Sequence, residues 1–361
     1  MKYPPIHYND YLGLDALLGA QKRKSEEYGK PAHDEMLFLI VHQAYELWFK
    51  QILFDLDSVL TILKKSPVPD NEMSLAVNRL ARIALIQTHV LGQIDILETM
   101  TPLDFLEFRE FLYPASGFQS AQFRMIEQKM GLREQDRLLY NQGSAYSHLK
   151  KEHQKDMDKV KTEPSLFECI EKWLERTPFV QSQDFDFWRT YQTAVVQMIE
   201  GDKRVIENNP RLTDEEKTKN KVMMDQQLFT FQSLFKQEAY EKLRTEGQFR
   251  LSFKAFHAAL FILLYRDEPI LQWPFKMIQL LLDIDERWTQ WRYRHSLMAH
   301  RMLGRKIGTG GSSGHQYLKD ATDKHKIFTD FFNMTTFLLP RSQIPPLPEA
   351  VKKNLGFQWR S

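Results

Sequence analysis

Two histidines that interrupt aromatic stripes are the residues of this 361-residue chain whose type and spacing could do chemistry. Trp288, Trp291, His295, Met298 and Met302 recur three and four positions apart, the repeat of one helix face. A neutral imidazole in such a stripe has one bare nitrogen, which either bonds a neighbouring backbone group in a packed core or ligates a metal. With flat apolar side chains before and after it, the metal would be the iron of a haem. Phe38, His42, Tyr45 and Phe49 form a second stripe at helical spacing, again with a single histidine. Two such helices could face each other across a flat ligand. A satisfied core histidine stays open for both.

Arg292, Arg294, Arg301 and Arg305 surround the first stripe. Cations there suit carboxylates such as haem propionates, or form the solvated side of the helix. Phe105 and Arg109 lie four apart, so they share a helix face and could grip an aromatic acid. Such pairs also decorate ordinary surfaces. Other constellations are absent: His295 and His300 are five apart, about 140° around a helix, too far to share a metal from one face. No H-E-x-x-H, G-x-S-x-G or paired-carboxylate pattern occurs. The loop from Gly308 to Gly314, GTGGSSG, fails both phosphate-binding templates and follows a helix where those motifs follow a strand. It reads as a mobile loop closing over a small substrate, with Thr309 offering a hydroxyl, or as a flexible connector.

The elements that must position these residues are helices. Residues 1–33 form an extended arm with a Tyr8-x-x-Tyr11-Leu12 cluster and too little apolar surface to be a core element, so it should dock on something else. Helices are expected from about Asp34 to Lys65, Glu72 to Met100, Ser252 to Tyr265 and Pro269 to Leu303. Thr101-Pro102-Leu103-Asp104 reads as a capped helix start, as do Ser165-x-x-Glu168 and Thr213-x-x-Glu216. Residues 131–163 carry little apolar periodicity and suggest short helices and loops. Asp184 to Glu207 and Thr213 to Leu243 suggest a helical pair, projecting as an arm over about 184–245. The proline-rich tail, with Pro340, Pro345, Pro346 and Pro348, should be extended and draped on the surface. No stretch alternates at period two, so the fold class is all-α, with residues 34–361 as one large helical domain.

Composition narrows the function classes. The net charge is +2, from 49 basic and 47 acidic residues, so no broad electrostatic footprint marks a nucleic-acid or anionic-membrane partner. The longest unbroken apolar run, Ala258 to Tyr265, is far short of a bilayer span, and the first residues lack a signal-peptide apolar region. A cytoplasmic protein is expected. One cysteine, Cys169, fits a reducing compartment and rules out an internal disulfide framework or a cysteine-based metal cluster within one chain.

Three blocks carry a resemblance. HDEMLFLIVHQAYELWFKQILFDLDSV (33–59), TPLDFLEFREFLYPASGFQSAQFR (101–124) and WRYRHSLMAHRMLGRKIGTGGSSGHQYL (291–318) resemble the signature blocks of the tryptophan 2,3-dioxygenase family, and the Tyr8-x-x-Tyr11-Leu12 cluster resembles its N-terminal arm. The resemblance implies an all-α enzyme with haem b, ferrous when active, usually a homotetramer. It would insert both atoms of O2 across the indole C2–C3 bond of L-tryptophan to give N-formyl-L-kynurenine. His295 would be the proximal haem ligand, fourteen residues before Thr309 as the family pattern requires. His42 would meet the indole N–H, with Phe38 and Phe105 as walls of the indole site. Arg109 would pair with the substrate carboxylate, and Thr309 would contact the amino-acid end. Ser116 and Gly117 would line the haem pocket, while Tyr8, Tyr11 and Leu12 would reach a neighbouring subunit's site. A haem-binding gas or redox sensor without turnover, and a helical interaction scaffold, are the competing readings.

Overall fold

Helix follows helix along the chain, as the period of its apolar residues dictates. The computed structural model describes residues 3–138, 146, 149–177, 181–182, 185–304, 306 and 314–355. The arm holds α1 (Tyr8–Leu12), α2 (Leu14–Leu18) and α3 (Lys24–Glu27), and is followed by α4 (Glu35–Leu63), α5 (Asp70–Leu97), α6 (Pro102–Arg109), α7 (Ala121–Met130) and α8 (Lys151–Thr162). Then come α9 (Leu166–Leu174), α10 (Phe187–Glu207), α11 (Asp214–Ser233), α12 (Gln237–Thr245) and α13 (Phe253–Leu264). The chain continues through α14 (Gln272–Leu303), α15 (Gly314–Lys324), α16 (Thr329–Asn333) and α17 (Glu349–Leu355). Among the described residues, β-structure is confined to a two-residue antiparallel pair, Gln181–Ser182 with Phe185–Asp186.

The predicted caps form. Thr101 accepts from the Asp104 amide while the Asp104 carboxylate accepts from the Thr101 amide, with Pro102 in the first turn. Ser165 with Glu168, and Thr213 with Glu216, close the same reciprocal box.

The chain divides into two units. The first comprises Met1–Ser58, Ala81–Pro164 and Ile284–Ile327. Its buried apolar residues on α4 are Val41, Tyr45, Phe49, Ile52 and Leu56, the spacing of one helix face. The arm is fastened at its C-terminal end: the fully buried Glu35 carboxylate accepts the Lys24 and Ser25 amides at 2.8 and 3.0 Å. From Tyr8 to Leu18 the arm buries nothing.

The second unit comprises Val59–Leu80, Ser165–Asp283 and Phe328–Ser361. Helix α13 is buried on nearly every side and packs on α9, while α10 packs along α11. Here two sequence expectations change. Helix α11 stops at Ser233 and α12 starts at Gln237, because Leu234 is buried and its carbonyl bonds His257 Nε2 at 2.8 Å instead of continuing the helix. The tail is anchored, not merely draped: Leu339, Leu347 and Val351 are buried, and the chain after Pro348 turns into α17. In the first unit, Lys151–Thr162 is one twelve-residue helix that buries only Met157, which is why its periodicity is faint.

Helix α5 has, between Asn71 and Leu97, the length and mean hydropathy of a membrane span, with half of its most apolar window buried in the protein. It also carries Arg79, Arg82, His89 and Asp95, and Arg82 pairs with the buried Asp55 at 3.0 Å.

Candidate functional site

A cavity of about 350 Å3 opens inside the first unit. Helix α4 contributes Phe38, His42, Tyr45 and Phe49, all four members of the stripe read from the sequence. Helix α14 contributes Trp291, His295, Met298 and Met302, while Trp288 is buried beside it, its ring 6.1 Å from that of Phe49. The two helices meet through rings, Tyr45 edge-on to Trp291 at 6.2 Å between centroids. Phe105 on α6 and Ser116 and Gly117 in the turn before α7 complete this part of the lining. Six of the residues named by the resemblance line this one cavity: Phe38, His42, Phe105, Ser116, Gly117 and His295.

The His42 ring lies tilted against that of Phe38, 4.0 Å between centroids, and its Nδ1–H donates to the Phe38 carbonyl at 2.7 Å. That bond fixes the tautomer and leaves Nε2 as an acceptor. The ring is open to the cavity yet surrounded by protein, and this desolvation holds its pKa below the usual histidine value, so it is neutral at pH 7. His295 is enclosed more fully: burial, and secondarily the nearby His42, lower its pKa to about 4. Its Nδ1 is buried with no hydrogen-bond partner among the described residues.

Such an imidazole is neutral, oriented and incompletely bonded, in a cavity walled by rings. Unmatched buried polar atoms are costly and rare in a packed core. Among the described residues no three His, Cys, Asp or Glu side chains are grouped as a metal site. His295 alone would leave a bare ion under-coordinated, whereas a porphyrin brings its own equatorial nitrogens. The residues present fit a haem.

Other expected residues stand differently. Arg109 ends α6, half-buried, and does not line the described cavity. Tyr8, Tyr11 and Leu12 are exposed, Tyr8 and Tyr11 by 70% or more. Thr309, the glycine loop and Arg305 lie outside the described residues. The reading of Arg292 and Arg294 as propionate partners narrows, because Arg294 spends donors on protein carboxylates away from the cavity lining, whereas Arg292 lines the cavity while also bonding a protein carboxylate. Arg294 bonds Asp95 and Glu98, and Arg292 bonds Glu127. The sequence reading missed Arg124, Glu127 and His325, all of which line the cavity. A signal was present: Glu127 stands four residues after Phe123 and one after Ile126, on the buried side of α7.

Fold and cavity define a class: an all-α protein with an aromatic-walled cavity lined by a histidine from each of two helices. The family model for tryptophan 2,3-dioxygenase matches residues 3–338. The chain is similar to tryptophan 2,3-dioxygenase of Bdellovibrio bacteriovorus, 62% identical over 99% of this chain and 100% of the relative. It is 48% identical to that of Alteromonas mediterranea over 98% of each chain, and 44% identical to tryptophan 2,3-dioxygenase B of Danio rerio over 96% of this chain and 86% of the relative. The chain belongs to the tryptophan 2,3-dioxygenase family, and it is an oxidoreductase.

Proposed function

We propose that the cavity holds haem b on His295 and is where this chain cleaves L-tryptophan at the indole C2–C3 bond with O2, giving N-formyl-L-kynurenine. The observation that carries the reading is the buried, unpartnered His295 Nδ1 in an aromatic cavity. Bound in its ferrous state, haem supplies the redox centre that activates O2.

The protein's own residues bind and orient. His42, neutral and with Nδ1 occupied by the Phe38 carbonyl, can accept the indole N–H only through Nε2. Phe38 and Phe105, 6.0 Å apart between centroids, wall the indole plane. Their apolar surface excludes water from the reacting carbon atoms. Arg109 grips the substrate carboxylate and Thr309 contacts the amino-acid end. Ser116 and Gly117 border the haem, and Tyr8, Tyr11 and Leu12 reach a neighbouring subunit of a homotetramer. The exposure of that aromatic arm supports the assembly, since exposed apolar clusters mark interaction surfaces. A cytoplasmic protein that acts without nucleic acid or membrane completes the reading, and the near-neutral charge offers no broad basic footprint for a polyanion. A sensor without turnover has no observation of its own in its favour.

Turnover under 18O2 tests the reading. The product should carry two labelled oxygen atoms; product with one labelled atom, or no product from haem-loaded protein, overturns it. Removal of residues 1–14 should lower both oligomer mass and turnover, and a fully active monomer after that deletion would refute the role of the arm.

A further inference from the structure

One wall of the cavity is charged, and the residues assigned to tryptophan make no use of it. Glu127 on α7 is 3% exposed. Its Oε2 accepts from Arg124 Nη1 at 2.7 Å and from Arg137 Nη1 at 2.9 Å, and its Oε1 accepts from Arg292 Nη2 at 3.0 Å. All three arginines are buried, exposed by 7%, 7% and 4%. Arg292 reaches further, its Nη1 donating to the His325 carbonyl at 3.1 Å.

His325 does not add a charge. The Leu138 amide donates to His325 Nε2 at 3.2 Å, so the ring proton sits on Nδ1, 3.5 Å from Glu127 Oε1. Protonating Nε2 would break the bond from Leu138, and burial also holds the pKa down. Three guanidiniums therefore face one carboxylate, which itself stays ionised well below the usual range under their combined field. Among the described residues this cluster sets three guanidiniums against one carboxylate, leaving two buried positive charges without a counter-charge, a costly arrangement unless an anion completes it. The Nε atoms of Arg124 and Arg137 are buried without a hydrogen-bond partner among the described residues. Arg124 and Arg292 line the cavity together with Glu127 and His325.

We propose that Glu127 is a positioning residue: it gathers the three guanidiniums so that Arg124 and Arg292 form an electropositive cavity wall, and that wall takes a carboxylate of the bound cofactor. The inference rests on the haem reading and deepens it. Arg137, outside the lining, holds the far side of the carboxylate, so the two lining arginines keep their aim. Guanidinium-to-carboxylate bonds are strong in such desolvated settings, and the wall should discriminate a porphyrin with free carboxylates from one without.

The test compares iron protoporphyrin with its dimethyl ester, titrated into the full chain of wild type and Glu127→Gln. In wild type the free acid should bind at least about tenfold more tightly than the ester. In Glu127→Gln that preference should fall several-fold, while the spectrum of the His295-ligated iron stays the same with either porphyrin. A preference that is unchanged or larger in Glu127→Gln overturns the positioning role, since a carboxylate that merely competed with the ligand would raise it when removed. If wild type binds both porphyrins equally, the wall is refuted and the haem reading stands. If it binds neither, the haem reading falls and this inference falls with it. Should Glu127→Gln not fold, Arg124→Gln and Arg292→Gln must each lower the preference; no change in either overturns the proposal.

Discussion

His257 in the second unit and His295 in the first are imidazoles enclosed by aromatic rings, and they differ in one hydrogen bond. His257 stacks on Trp188 at 3.5 Å and gives Nε2–H to the Leu234 carbonyl. His295 lies 5.2 Å from Trp291 and leaves Nδ1 without a partner among the described residues. The contrast extends to the units around them. In the second, the buried hydroxyls of Tyr191, Tyr240 and Tyr265 each donate to a carbonyl, of Phe337, Leu251 and Pro345 respectively. Among the described residues, Arg124 and His295, which line the cavity of the first unit, each keep a buried side-chain nitrogen without a hydrogen-bond partner. A packed core closes its polar groups, and a binding cavity keeps some open for what it binds.

Substitution of the two histidines should separate these roles most sharply. His295→Ala should abolish stable haem uptake, seen as loss of the bound-haem absorbance, and restore it in part when free imidazole is added. Haem uptake by His295→Ala at the wild-type level without imidazole would contradict the assignment. The next largest effect is expected at the substrate end. Arg109→Leu should lose on the order of 3 kcal/mol in kcat/KM for L-tryptophan, about a hundredfold or more, and tryptamine should be a very poor substrate of the wild type. Equal kcat/KM in the two proteins would show that the carboxylate is held elsewhere.

His257→Ala should instead cost stability, roughly 2 to 4 kcal/mol by denaturant unfolding, with haem uptake retained. The pH dependence sharpens this. Burial lowers the His257 pKa to about 3, below its unfolded value, so the unfolded chain binds the proton first as pH falls. Its stability contribution is complete above about pH 6.5 and is lost progressively down to about pH 3, by roughly 2 kcal/mol between pH 7.5 and 5. The His257→Ala protein should show a shallower loss over that range; identical slopes would mean that His257 is not the titrating group. The smallest effect is expected at Tyr191→Phe, which removes the donor to the Phe337 carbonyl and should cost about 1 to 2 kcal/mol without changing kcat.

Much of the cavity was legible because helical periodicity records which side chains share a face. Phe38, His42, Tyr45 and Phe49 lie where their spacing puts them, as do Trp291, His295, Met298 and Met302. Local chemistry also read true, since the Thr101, Ser165 and Thr213 boxes depend only on residues three apart. Long-range pairing was not legible. Arg292 sits 165 positions from Glu127, and nothing in its own helix shows that its guanidinium is also held there. The break between α11 and α12 likewise follows from His257, 23 residues from Leu234, and the buried tail from packing that prolines do not forbid. Tyr8, Tyr11 and Leu12 are exposed, and their spacing alone does not say what they would pack against.

The most direct measurement is the absorbance spectrum of the ferrous haem-loaded protein, recorded anaerobically with and without L-tryptophan and then on admission of O2. Tryptophan bound beside His42 should shift the haem bands before oxygen is added, and oxygen should then consume tryptophan stoichiometrically without external reductant. A haem spectrum indifferent to tryptophan, with tryptophan intact after oxygen is admitted, would contradict the assignment of this cavity as the site of indole cleavage.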